Sequence, residues 1–149
     1  MKSTLSKIAA MSTIAIAMLF TSCGKKDTAD SLTDEFIAQS EALATAMGEI
    51  KDKESAESVA KKIDTIADEM SSIAERLSKL PDPTEDEKKK LKEKMDKAHK
   101  EMEGKMIKIM ADVPKEPEIM TIIGTAMANL SKKMEPHTAT FEKFGQEGR

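Results

Sequence analysis

The chain has no tryptophan and no tyrosine, only four phenylalanines among 149 residues, and a single cysteine. The aromatic poverty removes the stacking platforms that single-stranded nucleic acids and sugars use. One cysteine excludes an internal disulfide. Glycine and proline are also scarce, at six and five. Together with few β-branched residues this leaves no stretch that resembles a strand hairpin. What is abundant is Ala, Met, Lys and Glu, a composition that favours helix. The net charge of −3 argues against nucleic acid as a partner.

The one long apolar run is at the start. Lys2 and Lys7 precede Ile8–Phe20, which only Ser12 and Thr13 interrupt; Thr21, Ser22 and Cys23 follow. A positive segment, a short apolar segment and small residues are the plan of a secretory signal peptide. Its 13 apolar-run residues fall short of the roughly 20 that a transmembrane helix needs.

Phe20-Thr21-Ser22-Cys23 resembles the lipobox of bacterial lipoprotein precursors: an apolar residue, a small residue, Gly/Ala/Ser, then Cys. Phe20 stands where Leu is usual, with Leu19 beside it. The resemblance covers residues 1–23. It implies cleavage after Ser22, acylation of the Cys23 thiol, and a mature chain that begins at Cys23 and is held to a membrane by acyl chains. Gly24, rather than Asp, follows the cysteine, which leans towards the outer membrane. Acylation also disposes of a lone thiol in an oxidising compartment. Residues 1–22 are thus the expected signal, and 23–30 (Cys-Gly-Lys-Lys-Asp-Thr-Ala-Asp) the lipidated tether.

Beyond the tether the pattern is helical. A first helix is expected over about 31–51, capped by Asp30 or Ser31, with an apolar stripe of Phe36, Leu43, Met47 and Ile50 and Ser40 on its weak rung. A second, over about 55–79, carries the clearest stripe: Val59, Ile63, Ile66, Met70, Ile73, Leu77 and Leu80, every step three or four residues. Ala60, Ala67 and Ala74 run beside it at intervals of seven, which lets a neighbour approach closely. Pro81 and Pro83 stop the helix. Thr84 and Glu87 form a capping box for a third helix, whose stripe is Leu91, Met95, Ala98, Met102, Met106, Ile109 and Val113. Its step from Met102 to Met106 is a stutter beside Gly104. The short Pro-Asp-Pro link predicts an antiparallel hairpin of helices two and three. A fourth helix is expected over 117–134 with Ile119, Ile122, Ile123, Ala126, Met127, Leu130 and Met134 on its apolar face. Phe141 and Phe144 in 136–149 suggest a short helix folded back, or a frayed tail. The predicted fold is all-α: an antiparallel bundle over 31–135 with three long helices and one shorter one.

Residues that carry chemistry are few. His99 lies on the third helix between Met95 and Met102, four and three residues away, a soft ligand set that suits Cu(I). Methionine as core filler is the blander use of the same pattern. His137 has no carboxylate three residues before it, and neither does an acid-plus-histidine diiron pattern exist at His99 beyond Asp96. No nucleophile elbow, phosphate loop or H-E-x-x-H occurs. Glu35, Glu41, Glu49, Asp64, Asp68, Glu69 and Glu75 are expected on a solvated face. Lys88, Lys89, Lys90, Lys92, Lys94, Lys97 and Lys100 form a local cationic excess; it is expected to pair with Glu85, Glu87, Glu93, Asp96 and Glu101 of the same helix, or to meet anionic headgroups. No cofactor and no enzymatic activity are expected. The remaining expectation is a membrane-anchored envelope protein whose helical faces bind a protein partner or a second copy, with binding of unfolded chains or copper as the alternative.

Overall fold

Helix caps decide where each element begins in the computed structural model, which describes residues 26–145. The signal segment, Cys23 and Gly24 lie outside the described residues. Helix α1 is Ala29–Met47, α2 Lys53–Ser78, α3 Glu85–Asp112 and α4 Pro117–Met134; a 3-10 turn, Glu135–His137, leads into a short α5, Thr138–Lys143. No strand occurs among the described residues.

Three starts use capping boxes. Thr84 accepts from the Glu87 amide, and Glu87 accepts from the Thr84 amide in return. The Thr84 bonds hold the Glu87 carboxyl below its ordinary pKa. Thr28 with Ser31 does the same for α1, and Asp52 with Ser55 for α2. These two caps move the helix starts two residues upstream of the expected ones. Serine at the third position works here because its hydroxyl reaches back as Glu or Gln would. Helix α1 also stops earlier than expected, at Met47, where Gly48 and a turn take over. Helix α4 needs no side-chain cap, since Pro117 occupies a position whose amide is orphaned anyway.

Ion pairs give the directions. Arg76 meets Glu35, and Lys62 meets Glu49, so α1 and α2 are antiparallel. Lys94 meets Asp30 and Asp34, and Lys105 meets Glu41, so α1 and α3 are parallel. Lys53 meets Glu118, and Lys133 meets Asp68, so α2 and α4 are parallel. The bundle therefore runs up, down, up, down, but its packing order is α3, α1, α2, α4. Helices α2 and α3 are antiparallel as expected, yet they do not pack along each other. Helix α1 lies between them, and the turn through Pro81 and Pro83 carries the chain past it.

Helix α2 has a neighbour on either side. Every residue of its stripe from Val59 to Leu77 is buried; Leu80, beyond the helix, is half-buried. The side of α2 that bears Lys53, Asp68 and Ser71 faces α4 and the turn after it, and that is also the alanine side. Ala67 and Ala74 are wholly buried there. Small side chains let the two backbones approach, which is why α4 packs closely on α2.

The core has two centres. One, at the α1–α2 turn, joins Met47, Ile50, Val59, Ile63, Val113, Ile119 and Ile123. The other, at the opposite end, joins Leu32, Ile73, Leu77, Leu91 and Phe144. Phe141 stacks at a tilt on Phe36, with ring centroids 5.0 Å apart. The C-terminal phenylalanines are thus folded back into the core. Gly145 turns at φ +81, with the Lys88 carbonyl close by, so α5 ends against the first turn of α3.

Candidate functional site

Methionine is distributed unevenly over this fold. Met47 on α1 and Met70 on α2 are buried. Met95, Met102, Met106 and Met110 on α3, and Met127 and Met134 on α4, are all half-buried, and Met120 on α4 is exposed. The reason is the packing order. Helix α3 touches α1 and helix α4 touches α2, but α3 and α4 do not pack along each other. The bundle has three closed sides and one open one.

The helical repeat of about 100° per residue places the methionines relative to that opening. On α3, Lys94 and Lys105 point to α1, where their partners are. Met106 and Met110 fall on the other flank of the stripe. On α4, Glu118 and Lys133 point to α2. Met120, Met127 and Met134, spaced by seven, fall on the other flank. Both helices therefore turn thioethers towards the open side. The upper part of this surface continues into the core: Met106, Ile109, Met110, Ile122, Met127 and Leu130 all pack on the cluster around Ile63 and Ile119.

Thioethers give such a surface its chemistry. Methionine is unbranched and polarisable, so it adapts to apolar partners of different shape. The surroundings differ on the two sides. Around α4, residues 119–131 contain no charged side chain, and the hydroxyls of exposed Thr121 and Thr125 donate to the carbonyls of Pro117 and Thr121 at 2.7 and 2.8 Å. Both threonines lie on the outer face of α4, away from the methionine flank. On the α3 side, exposed Lys92, Asp96 and Glu103 lie beside the methionines, so that rim is charged and of mixed sign.

His99 is exposed, with half-buried Met95 and Met102 on the same helix. Among the described residues no group of three or more His, Cys, Asp or Glu is placed to hold a metal. His137 is engaged otherwise: its Nε2 shares a 2.8 Å hydrogen bond with the Ser71 hydroxyl, tying the turn after α4 to α2.

Of the acids expected on a solvated face, Glu41, Glu49, Asp68, Glu69 and Glu75 are exposed, and Glu41, Glu49 and Asp68 also pair with lysines of other elements. Glu35 is half-buried in an ion-paired cluster. Arg76 is the centre. Its Nε and Nη2 donate to both carboxylate oxygens of Asp27, at 3.0 and 2.6 Å, while Nη1 and Nη2 donate to Glu35, at 2.6 and 3.2 Å. The Arg76 fork holds the Asp27 carboxyl below its ordinary pKa, and the two carboxylates raise that of the guanidinium. At the lysine-rich start of α3 the expected pairing within the helix is met at Lys88 and not at Lys94. Lys88 pairs with Glu85 on its own helix. Lys94 reaches across to Asp30 and Asp34 of α1, each at 2.7 Å. Burial works against its charge, but the two aspartates prevail and raise its pKa. Lys143 of α5 pairs with Asp82 and lowers that carboxyl's pKa.

Sequence reading finds the α3 methionines and the lower two on α4. It misses Met120, which the seven-residue interval back from Met127 marks, and it misses Arg76, one of only two arginines in the chain. Comparison with protein-family models, curated proteins and solved structures finds no match.

Proposed function

We propose that this chain is a lipid-anchored, non-enzymatic binding module of the bacterial cell envelope, and that its open methionine-lined side receives the apolar face of a helix from another envelope protein. The anchor rests on Phe20-Thr21-Ser22-Cys23 behind a short apolar run. The binding role rests on one observation: α3 and α4 leave every one of their methionines partly exposed, whereas α1 and α2 bury theirs. Helix-in-groove docking uses such flexible apolar surfaces. A helical ligand supplies the missing contact between α3 and α4 without leaving backbone groups unpaired.

The test is photocrosslinking in cells. A photoreactive residue replaces Met102, Met127 or, as a control on the outer face of α2, Glu69. Capture of one dominant partner from Met102 and Met127, and none from Glu69, supports the reading. Equal capture from all three positions sinks it. Capture of a diffuse set of unfolded chains at the two methionine positions moves the function to a chaperone-like holder.

A further inference from the structure

Seven of the nine methionines among the described residues lie on α3 and α4, and each of the seven meets solvent. Met120 is 39% exposed, whereas Met47 and Met70 of the core are 2% and 4% exposed. The described residues contain no cysteine, tryptophan or tyrosine. Thioethers are therefore the side chains that a mild two-electron oxidant finds on this bundle, and the fold divides them into an open set and a closed set.

Position gives their oxidation a consequence. From Ile119 to Ser131, α4 has no charged side chain. On its flank towards the open side, Gly124 and Ser131 offer little apolar area, so Met120 and Met127 supply most of it. Leucine would cover the same area without reacting. A sulfoxide at these positions puts a strongly polar oxygen where a docked helix would have to bury it without a donor. The stripe of α2 is exempt, because it is built of Val, Ile and Leu apart from buried Met70.

We propose that the open side is a reversible S-oxidation site: hydroperoxides convert its thioethers to sulfoxides and switch off docking while the core stays folded. This rests on the docking reading above. In the step, a sulfur lone pair attacks one oxygen of hydrogen peroxide. The S–O bond forms as the O–O bond breaks, and the departing hydroxide takes the proton of the transferred oxygen and leaves as water. Sulfur loses two electrons and the peroxide gains them. A thiol-dependent sulfoxide reductase reverses the change, with the oxygen leaving as water while two thiols close to a disulfide.

The test uses the mature chain, residues 23–149, with Cys23→Ser so that neither a thiol nor acyl chains compete. Hydrogen peroxide is added, and each methionine is followed in time by peptide mass spectrometry. The seven positions on α3 and α4 should oxidise roughly tenfold or more faster than Met47 and Met70, which react only when the core opens. Circular dichroism should stay helical, and retention on a phenyl-bearing resin should fall. Equal rates at all nine positions, or loss of helix in step with oxidation, overturns the proposal, since oxidation is then a lesion of the core. Sulfoxide reductase with dithiothreitol should restore retention; no recovery removes the reversibility. A second chain carries Met→Leu at all seven positions, a change that nearly conserves volume. Its retention should ignore peroxide, and a fall there overturns the thioether assignment. In cells, capture from a photoreactive residue at Met127 separates the two readings. Capture that peroxide lowers severalfold supports both. Capture unchanged by peroxide overturns the switch alone, and no capture before peroxide overturns docking and the switch together.

Discussion

Helices α2 and α3 carry apolar stripes of the same kind and nearly the same length, 26 and 28 residues. In α2 the stripe is buried from Val59 to Leu77. In α3 only Leu91 is buried within the helix. The periodicity does not distinguish them, and neither does capping, since each has a complete box. Position does. Helix α2 is enclosed between α1 and α4, whereas α3 is an edge helix that packs lengthwise on α1 alone and meets the end of α5 only at its first turns. A heptad stripe says that a helix has a face to cover; how much is covered depends on how many helices arrive. The composition of the stripes agrees with this. The enclosed helix uses branched Ile and Val, which pack in one way, and the edge helix uses Met, which packs in many.

Truncation is the strongest way to test that contrast. Ile63→Ala, at the fully buried middle of α2, should cost about 3 kcal/mol and lower the thermal midpoint by more than 10 °C. Thermal unfolding followed by circular dichroism measures it. A loss under about 1 kcal/mol would mean that the α2 core collapses around the gap, and that α2 is no better packed than α3. Met102→Ala on α3 should cost no more than about 1 kcal/mol, because half of the side chain already meets solvent. A cost equal to that at Ile63 would show that the open side is covered, by a second copy or by a rearranged α4.

The smallest effect concerns the edges in acid. The folded-state pKa of Asp27 lies below its unfolded value, so the Arg76 contact stabilises the fold above roughly pH 4 and is lost as pH falls through the folded pKa. Asp82, lowered by Lys143, follows the same course. The first turn of α1 and α5 should therefore loosen before the α2 core does. Arg76 Nε–H resonances followed by NMR between about pH 5 and 2 should move before the amides of Ile63 and Ile66. Simultaneous loss of both signals would mean that the ion-paired end has no independent stability.

Much of this fold was legible in the sequence. The α2 stripe, its proline stop, the Thr84–Glu87 box and the span of α4 all follow from local rules that operate within a few residues. Helix α1 was the least legible. Its expected single stripe holds only part of what it buries: Leu32, Thr33, Gln39, Ala44 and Ala46 are buried too. A helix between two neighbours needs two contact faces, and small or polar residues on the second give no hydrophobic signal. Thr33 even buries its hydroxyl without a hydrogen-bond partner in the structure. Of the candidate site, the methionines were visible but their exposure was not, because exposure depends on α3 and α4 failing to meet. The Arg76 cluster was hidden for a related reason: its partners are 41 and 49 residues away, and no local pattern links them.

The meeting of α5 with α3 bears on how the chain could be recut. Phe144 shares a cluster with Ala29 and Leu32, so the described chain enters and leaves at one end of the bundle. Its path is nearly a closed ring. A short flexible bridge from Gly145 back to Lys26 would complete that ring, and new ends could then be opened at Pro114–Glu116, where the chain already turns between helices. The stability of such a permuted chain would depend on which helices touch, with little reference to the order in which they are joined.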